Sequence, residues 1–187
     1  TRIEPILGRL ADSWVVSVDA FDTIEFTSLT SLTINALAGS DEINLAGITT
    51  SLTSLTVNGG DPSDGSDTLI VESIPGTDNL TVVPTGQGSG TIDHSAAGPV
   101  DAAYTGIEDI ELVGQIGDGD SMGVEGTSGY DLFEYFSGLT PDQGTVEGIM
   151  DDLSFTLPTI TFSGMNPLAT RTFNTGAATG GQDDFLF

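Results

Sequence analysis

The sequence predicts an all-β chain wound as a parallel β-helix, a β-solenoid of stacked coils, and three observations predict it. A nine-residue string returns almost unchanged at a fixed interval. Short runs rich in Val, Ile, Thr and Phe alternate with turns rich in Gly, Asp, Asn, Ser and Pro. No stretch sustains a helical period, which 25 Gly and 8 Pro would interrupt in any case.

The repeat comes first. Residues 27–35 read TSLTSLTIN and residues 50–58 read TSLTSLTVN, an offset of 23 with one Ile-to-Val change. That interval suits one coil of a stack in which each coil buries its apolar face only against its neighbours. Leu29, Leu32 and Ile34 point one way if the chain breaks its alternation near Ser31, and such a break bends it round a corner. Each copy leads through a Gly-Ser-Asp turn into another strand: Gly39-Ser40-Asp41 into Glu42-Ile43-Asn44-Leu45, and Gly65-Ser66-Asp67 into Thr68-Leu69-Ile70-Val71. The turns are three residues further apart than the strings, so the second copy carries an insertion, placed within residues 61–64.

A longer unit overlies the coil. Phe26-Thr27-Ser28-Leu29 aligns with Tyr104-Thr105-Gly106-Ile107 and with Phe162-Ser163-Gly164-Met165, and residues 76–82 and 90–92 resemble 126–133 and 144–146. The organisation read from this is an N-terminal cap with first strands over 1–25, two near-identical coils over 26–75, and further units over 76–125 and 126–187. Residues 3–11 (IEPILGRLA) read as a short helical or capping turn, and Phe185-Leu186-Phe187 as a strand awaiting a partner. The rival architecture is a calcium-binding β-sandwich, which also has short strands with frequent turns.

Charge and composition bound the chemistry. The 187 residues carry 28 Asp and Glu against three Arg and no Lys, a formal charge of −25, so the surface repels nucleic acid and anionic membrane. The chain also repels itself and should gain from bound cations. With no Cys and one His, a metal would need oxygen ligands, which favours calcium over zinc.

The candidate ligands are the acidic residues of Gly-containing turns: Asp41; Asp61, Asp64 and Asp67; Asp118 and Asp120; Asp183 and Asp184. Asp and Gly are also what any corner prefers, so a purely structural reading stands beside the ligand reading. These turns resemble degenerate forms of the calcium-binding G-G-x-G-x-D-x-U-x nonapeptide of RTX proteins. The longer units, with strings such as YTGIEDIELVG, look like tandem β-repeat modules of large bacterial surface and secreted proteins. The resemblance implies calcium as cofactor, an extracellular or cell-surface location and a non-catalytic role as a building block of a fibre, stalk or adhesin joined end to end with further copies.

Other chemistry is thinner. Asp151-Asp152, or Glu108 with Asp109 and Glu111, could be read as paired glycosidase carboxylates, but only Arg2, Arg9 and Arg171 could neutralise an acidic polymer substrate. His94 reads as a surface turn residue rather than part of a triad. Trp14, Phe133, Tyr135, Phe136, Phe155 and Phe162 could form a sugar-stacking platform, which makes a carbohydrate-binding module of a secreted protein the alternative function, against core packing as the ordinary fate of such rings. Asn79-Leu80-Thr81 is a formal N-glycosylation sequon.

Overall fold

A computed structural model describes residues 2–5, 13–17, 24–46, 52–60, 66–94, 100–166, 172–174 and 184–186. All secondary structure among them is β, in two mixed sheets, and neither closes into a barrel. Three antiparallel meanders alternate with single strands that cross between the sheets. The first meander is β1 (Arg2–Pro5), β2 (Ser13–Ser17) and β3 (Ile24–Thr27). Then come β4 (Ser31–Asn35), β5 (Glu42–Ala46), β6 (Ser54–Asn58) and β7 (Thr68–Glu72). The second meander is β8 (Asn79–Gly86), β9 (Ser89–His94) and β10 (Ala102–Thr105), followed by β11 (Asp109–Val113) and β12 (Ser121–Glu125). The third is β13 (Leu132–Ser137), β14 (Gly144–Met150) and β16 (Thr159–Ser163), with β15 (Phe155–Thr156) against β14. Last come β17 (Thr172–Asn174) and β18 (Asp184–Leu186).

One sheet has the order β18-β13-β14-β16-β11-β7-β5-β1-β2-β3, with β15 beside β14; the other has β17-β12-β8-β9-β10-β6-β4. The two nine-residue strings lie side by side as β4 and β6, parallel and in register, Leu32 opposite Leu55 and Ile34 opposite Val57. Their continuations β5 and β7 pair in parallel in the other sheet, Ile43 opposite Leu69. The repeat is therefore read twice, once in each sheet. Identical residues pair across it, Asn58 Nδ2 donating to Asn35 Oδ1 and Thr53 donating through both N and Oγ1 to Thr30 O, and Thr105 Oγ1 of β10 extends the row by donating to Asn58 Oδ1 at 2.7 Å. The offset is 23 residues between β4 and β6 but 26 between Asp41 and Asp67, so the insertion falls between the two pairings.

Strand alternation fixes one core between the sheets. Ile43, Leu45, Leu69, Val71, Ile110 and Leu112 face inward from one sheet, and Leu55, Val57, Leu80, Val82, Met122 and Val124 from the other, in a single buried cluster. Each such side chain contributes about 1.5–3 kcal/mol when removed from water.

The aligned positions of the longer unit take up equivalent places. Phe26, Tyr104 and Phe162 each stand near the end of a meander's third strand. Ser28, Gly106 and Gly164 follow with φ of 58°, 62° and 69°, and Leu29, Ile107 and Met165 turn back towards the core. Successive meanders lie on opposite sheets, the second on the seven-stranded sheet and the others on the larger one. The bend expected at Ser31 lies at residues 28–30, because the left-handed Ser28 makes the corner before β4 begins. Arg2–Pro5 is a strand and not the expected capping turn, held between β2 and β5; residues 6–11 of that expectation lie outside the described residues.

Candidate functional site

Six strands are each entered through an acid that stands directly before them, whereas the described residues leading into β4 and β6 carry none. Asp41 stands directly before β5, Asp67 before β7, Asp78 before β8, Glu108 before β11, Asp120 before β12 and Asp131 before β13. Two residues after each acid an apolar side chain is buried: Ile43, Leu69, Leu80, Ile110, Met122 and Phe133. Because side chains two apart share a face, the acid belongs to the inward row and caps the end of each column of core residues. Asp67, Asp78, Asp120 and Asp131 are accordingly buried.

A buried carboxylate costs several kcal/mol unless donors meet it, and here the backbone supplies them. The acid before one strand accepts from the amide of the acid before a neighbouring strand of the same sheet. Asp41 N donates to Asp67 Oδ1 at 2.8 Å, Asp67 N to Glu108 Oε2 at 2.8 Å, and Asp78 N to Asp120 Oδ1 at 2.9 Å. The second oxygen often reaches back into its own turn: Ile74 N donates to Asp78 Oδ2, Gln115 N to Asp120 Oδ2, and Thr127 N to Asp131 Oδ2. Asp120 also accepts from Ser73 Oγ, and Asp131 from Thr127 Oγ1 and Asp151 N. The carboxylates thus tie turns to themselves and to neighbouring turns.

Among the described residues four buried carboxylate oxygens are left over: Asp41 Oδ2, Asp67 Oδ2, Asp78 Oδ1 and Asp118 Oδ1 accept no hydrogen bond. Burial pushes the Asp78 carboxyl above its ordinary value of 3.8; the Ile74 amide pulls the other way, and the neighbouring Asp120 and Asp118 charges push it further up. A raised value in the folded chain means that this group favours folding most below the unfolded value and loses that contribution as pH rises through the folded one. At neutral pH its charge opposes folding.

Of the residues singled out in the sequence, Asp41, Asp67, Asp118 and Asp120 lie at these corners, the first pair joined by one hydrogen bond. Asp118 sits in the turn before β12, where its Oδ2 accepts from Gly76 N at 3.3 Å and its carbonyl from Thr77 Oγ1 at 2.8 Å. Asp184 opens β18, and Asp61, Asp64 and Asp183 lie outside the described residues. Among the described residues no three His, Asp or Glu side chains are grouped so as to hold an ion by themselves. The sequence reading missed Asp78, Glu108 and Asp131 as partners of the same kind. The signal that finds them is an acid two residues ahead of an inward apolar position, with or without the Gly-Asp spelling.

The remaining candidates have structural surroundings. Asp151 and Asp152 belong to a left-handed turn with φ of 53° and 57°; the Asp152 amide donates to Tyr130 O, and its Oδ1 accepts from Tyr130 N. Burial lowers the His94 pKa, partly countered by Asp101 and Asp93, and its backbone amide donates to Asp101 Oδ1. Of the aromatic residues, Phe133 and Phe162 are buried, Tyr135 stacks on Phe162 with ring centroids 6.3 Å apart, and Phe136 is half exposed. The chain matches no protein-family model, and no curated protein or solved structure is significantly similar to it.

Proposed function

We propose that the chain is a non-catalytic β-solenoid module, a building block of an extracellular or cell-surface fibre, stalk or adhesin that joins end to end with further copies. The observation that carries this reading is the parallel, in-register pairing of the repeated strings in one sheet and of their continuations in the other. A coil that buries its apolar face only against like coils adds length without changing its cross-section, which is what a stalk requires. Of the acids that could be read as glycosidase carboxylates, Glu108 and Asp152 are each engaged by a backbone amide. That supports a scaffold over a catalyst.

The sheet orders are consistent with end-to-end joining. Among the described strands, β4 and β17 are the edges of the smaller sheet, and β3 and β18 those of the larger. Edge strands present unpaired amides and carbonyls that accept a further strand in the same geometry. The net charge of −25 opposes any association at low salt, so end pairing should strengthen as added salt or divalent ions screen it. Light scattering and electron microscopy of the purified chain, with millimolar calcium present, should show particles that lengthen with protein concentration at constant width. Monomers alone, up to the highest attainable concentration, would contradict the reading.

A further inference from the structure

The second and third meanders are each flanked in sequence by two strands of the opposite sheet, and those two pair with each other. Around β8-β9-β10 they are β7 and β11, parallel from Thr68 opposite Asp109 to Glu72 opposite Val113. Around β13-β14-β16 they are β12 and β17, parallel from Gly123 opposite Thr172 to Glu125 opposite Asn174. The next strand in sequence then joins the meander's own first strand in parallel, β12 on β8 and β18 on β13. At the first meander β5 joins β1 in the same way, which puts β4 in the place of β11 and β17. Yet β4 is an edge of the smaller sheet, and no described strand stands to it as β7 stands to β11.

The edge of β4 carries the marks of that missing neighbour. Leu55 and Val57 of the second string are buried, whereas their counterparts Leu32 and Ile34 in β4 are only half-buried, although the strings differ by one methyl-bearing residue. The donors are directed the same way. Thr53 sends its N and Oγ1, and Asn58 its Nδ2, across to the first string. Because the strings lie in register, the same groups of Thr30 and Asn35 face the open side, and both residues are exposed. A strand that meets them supplies a backbone carbonyl opposite Thr30 and a side-chain oxygen opposite Asn35. Glu125 of β12 holds the matching position opposite Asn174 of β17.

We infer that the open edge of β4 binds an extended segment of the same repeat type, parallel to β4, which runs directly into β1 as β7 runs into β8 and β12 into β13. Residues 73–78 and 126–131 make those two passages, so a turn of the same length follows the docked strand. Its inward apolar residues complete the cover over Leu32 and Ile34, and its acceptors end the donor row. Unpaired amides and carbonyls on a sheet edge recruit a strand by main-chain hydrogen bonds, and side-chain pockets select which one. The inference rests on the end-to-end reading in taking β4 as a joining edge, and narrows it there to one polarity and one chain order.

The test is an N-terminal extension of the full chain, a copy of residues 121–130 fused ahead of Thr1. Thr1 precedes Ile3 by the same interval as Asp131 precedes Phe133, and Ile3 and Phe133 pair with Leu45 and Phe185 in the equivalent strands. Amide hydrogen exchange is followed at Thr30 and, as the standard for an intact fold, at Thr53, whose amide is bonded to Thr30 O. The extension should slow exchange at Thr30 about tenfold or more, at every protein concentration, and leave Thr53 slow. The same extension with Met122→Pro and Val124→Pro in the copied segment cannot continue a strand and should leave Thr30 at the wild-type rate. The copied segment added as a free peptide to the unextended chain should protect Thr30 saturably, which reads the edge even where the fusion disturbs the fold. Unchanged Thr30 exchange in both formats, or equal slowing by the proline control, would overturn the inference. So would slowing in the unextended chain that grows with its concentration, since a second copy would then hold this edge. End-to-end joining is read separately from particle length, so either result can fail without the other.

Discussion

Gly60→Ala is expected to destabilise the chain by about 3 kcal/mol or more, measured by urea unfolding. Gly60 has φ of 126°, where a side chain is sterically excluded, and a Cβ there would lie 1.6 Å from the carbonyl oxygen of Leu37 in the adjacent coil. That contact is backbone to backbone and has no flexible end to move aside. The change would push the first repeat off the second at the corner where the nine-residue strings leave their sheet. The converse experiment uses the equivalent place one coil earlier. Leu37, 73% exposed, holds φ of 83° at a position whose successor is Gly60, so Leu37→Gly should stabilise by about 1 kcal/mol by relieving a left-handed backbone.

Asp120→Ala should cost about 3–5 kcal/mol, each buried polar group left without a partner contributing about 1–3. Its carboxylate is fully buried and receives Asp78 N, Gln115 N and Ser73 Oγ. Removal strands two amides and a hydroxyl from two turns, and opens the seam between the turn before β8 and the turn before β12. Asp120→Asn should fall between alanine and wild type, since one oxygen can still accept while the new NH2 group faces a donor. If both variants unfolded at the wild-type urea concentration, the corner acids would not be holding the coils together.

Much of this was legible in the sequence where the chemistry is local. The pairing of β4 with β6 follows from the return of TSLTSLT, because identical apolar positions fit an identical neighbour. The Gly-Ser-Asp spelling at residues 39–41 and 65–67 marked two of the corners. What could not be read is set by contacts distant in the chain. Arg2–Pro5 spans a Pro and precedes a Gly, and becomes a strand only because β2 and β5 flank it. The likeness of the units ending at Tyr104 and Phe162 says nothing about which sheet each joins, since a strand followed by a left-handed residue is the same local form on either. The role of the acids was half visible: Asp before a strand suggested a ligand, but the amides that saturate Asp67 Oδ1 and Asp120 come from residues 26 and 42 positions away. Glu108 and Asp131 follow Gly-Ile and Gly-Tyr in place of Gly-Ser and do not stand out by that spelling as corner acids, although Ile110 and Phe133 two residues later identify them.

The stacking order itself can be measured directly, because the chain contains no Cys. Thr33, Thr56, Ala103 and Thr91 form one row across β4, β6, β10 and β9. At about 4.8 Å per strand, Thr33 and Thr56 are one step apart, whereas Thr33 and Thr91 are separated by about 14 Å. A short bifunctional thiol reagent should bridge Thr33→Cys/Thr56→Cys rapidly in the folded chain and leave Thr33→Cys/Thr91→Cys unbridged. Equal rates for the two pairs, or faster bridging of the second, would contradict the stacked arrangement of the repeat.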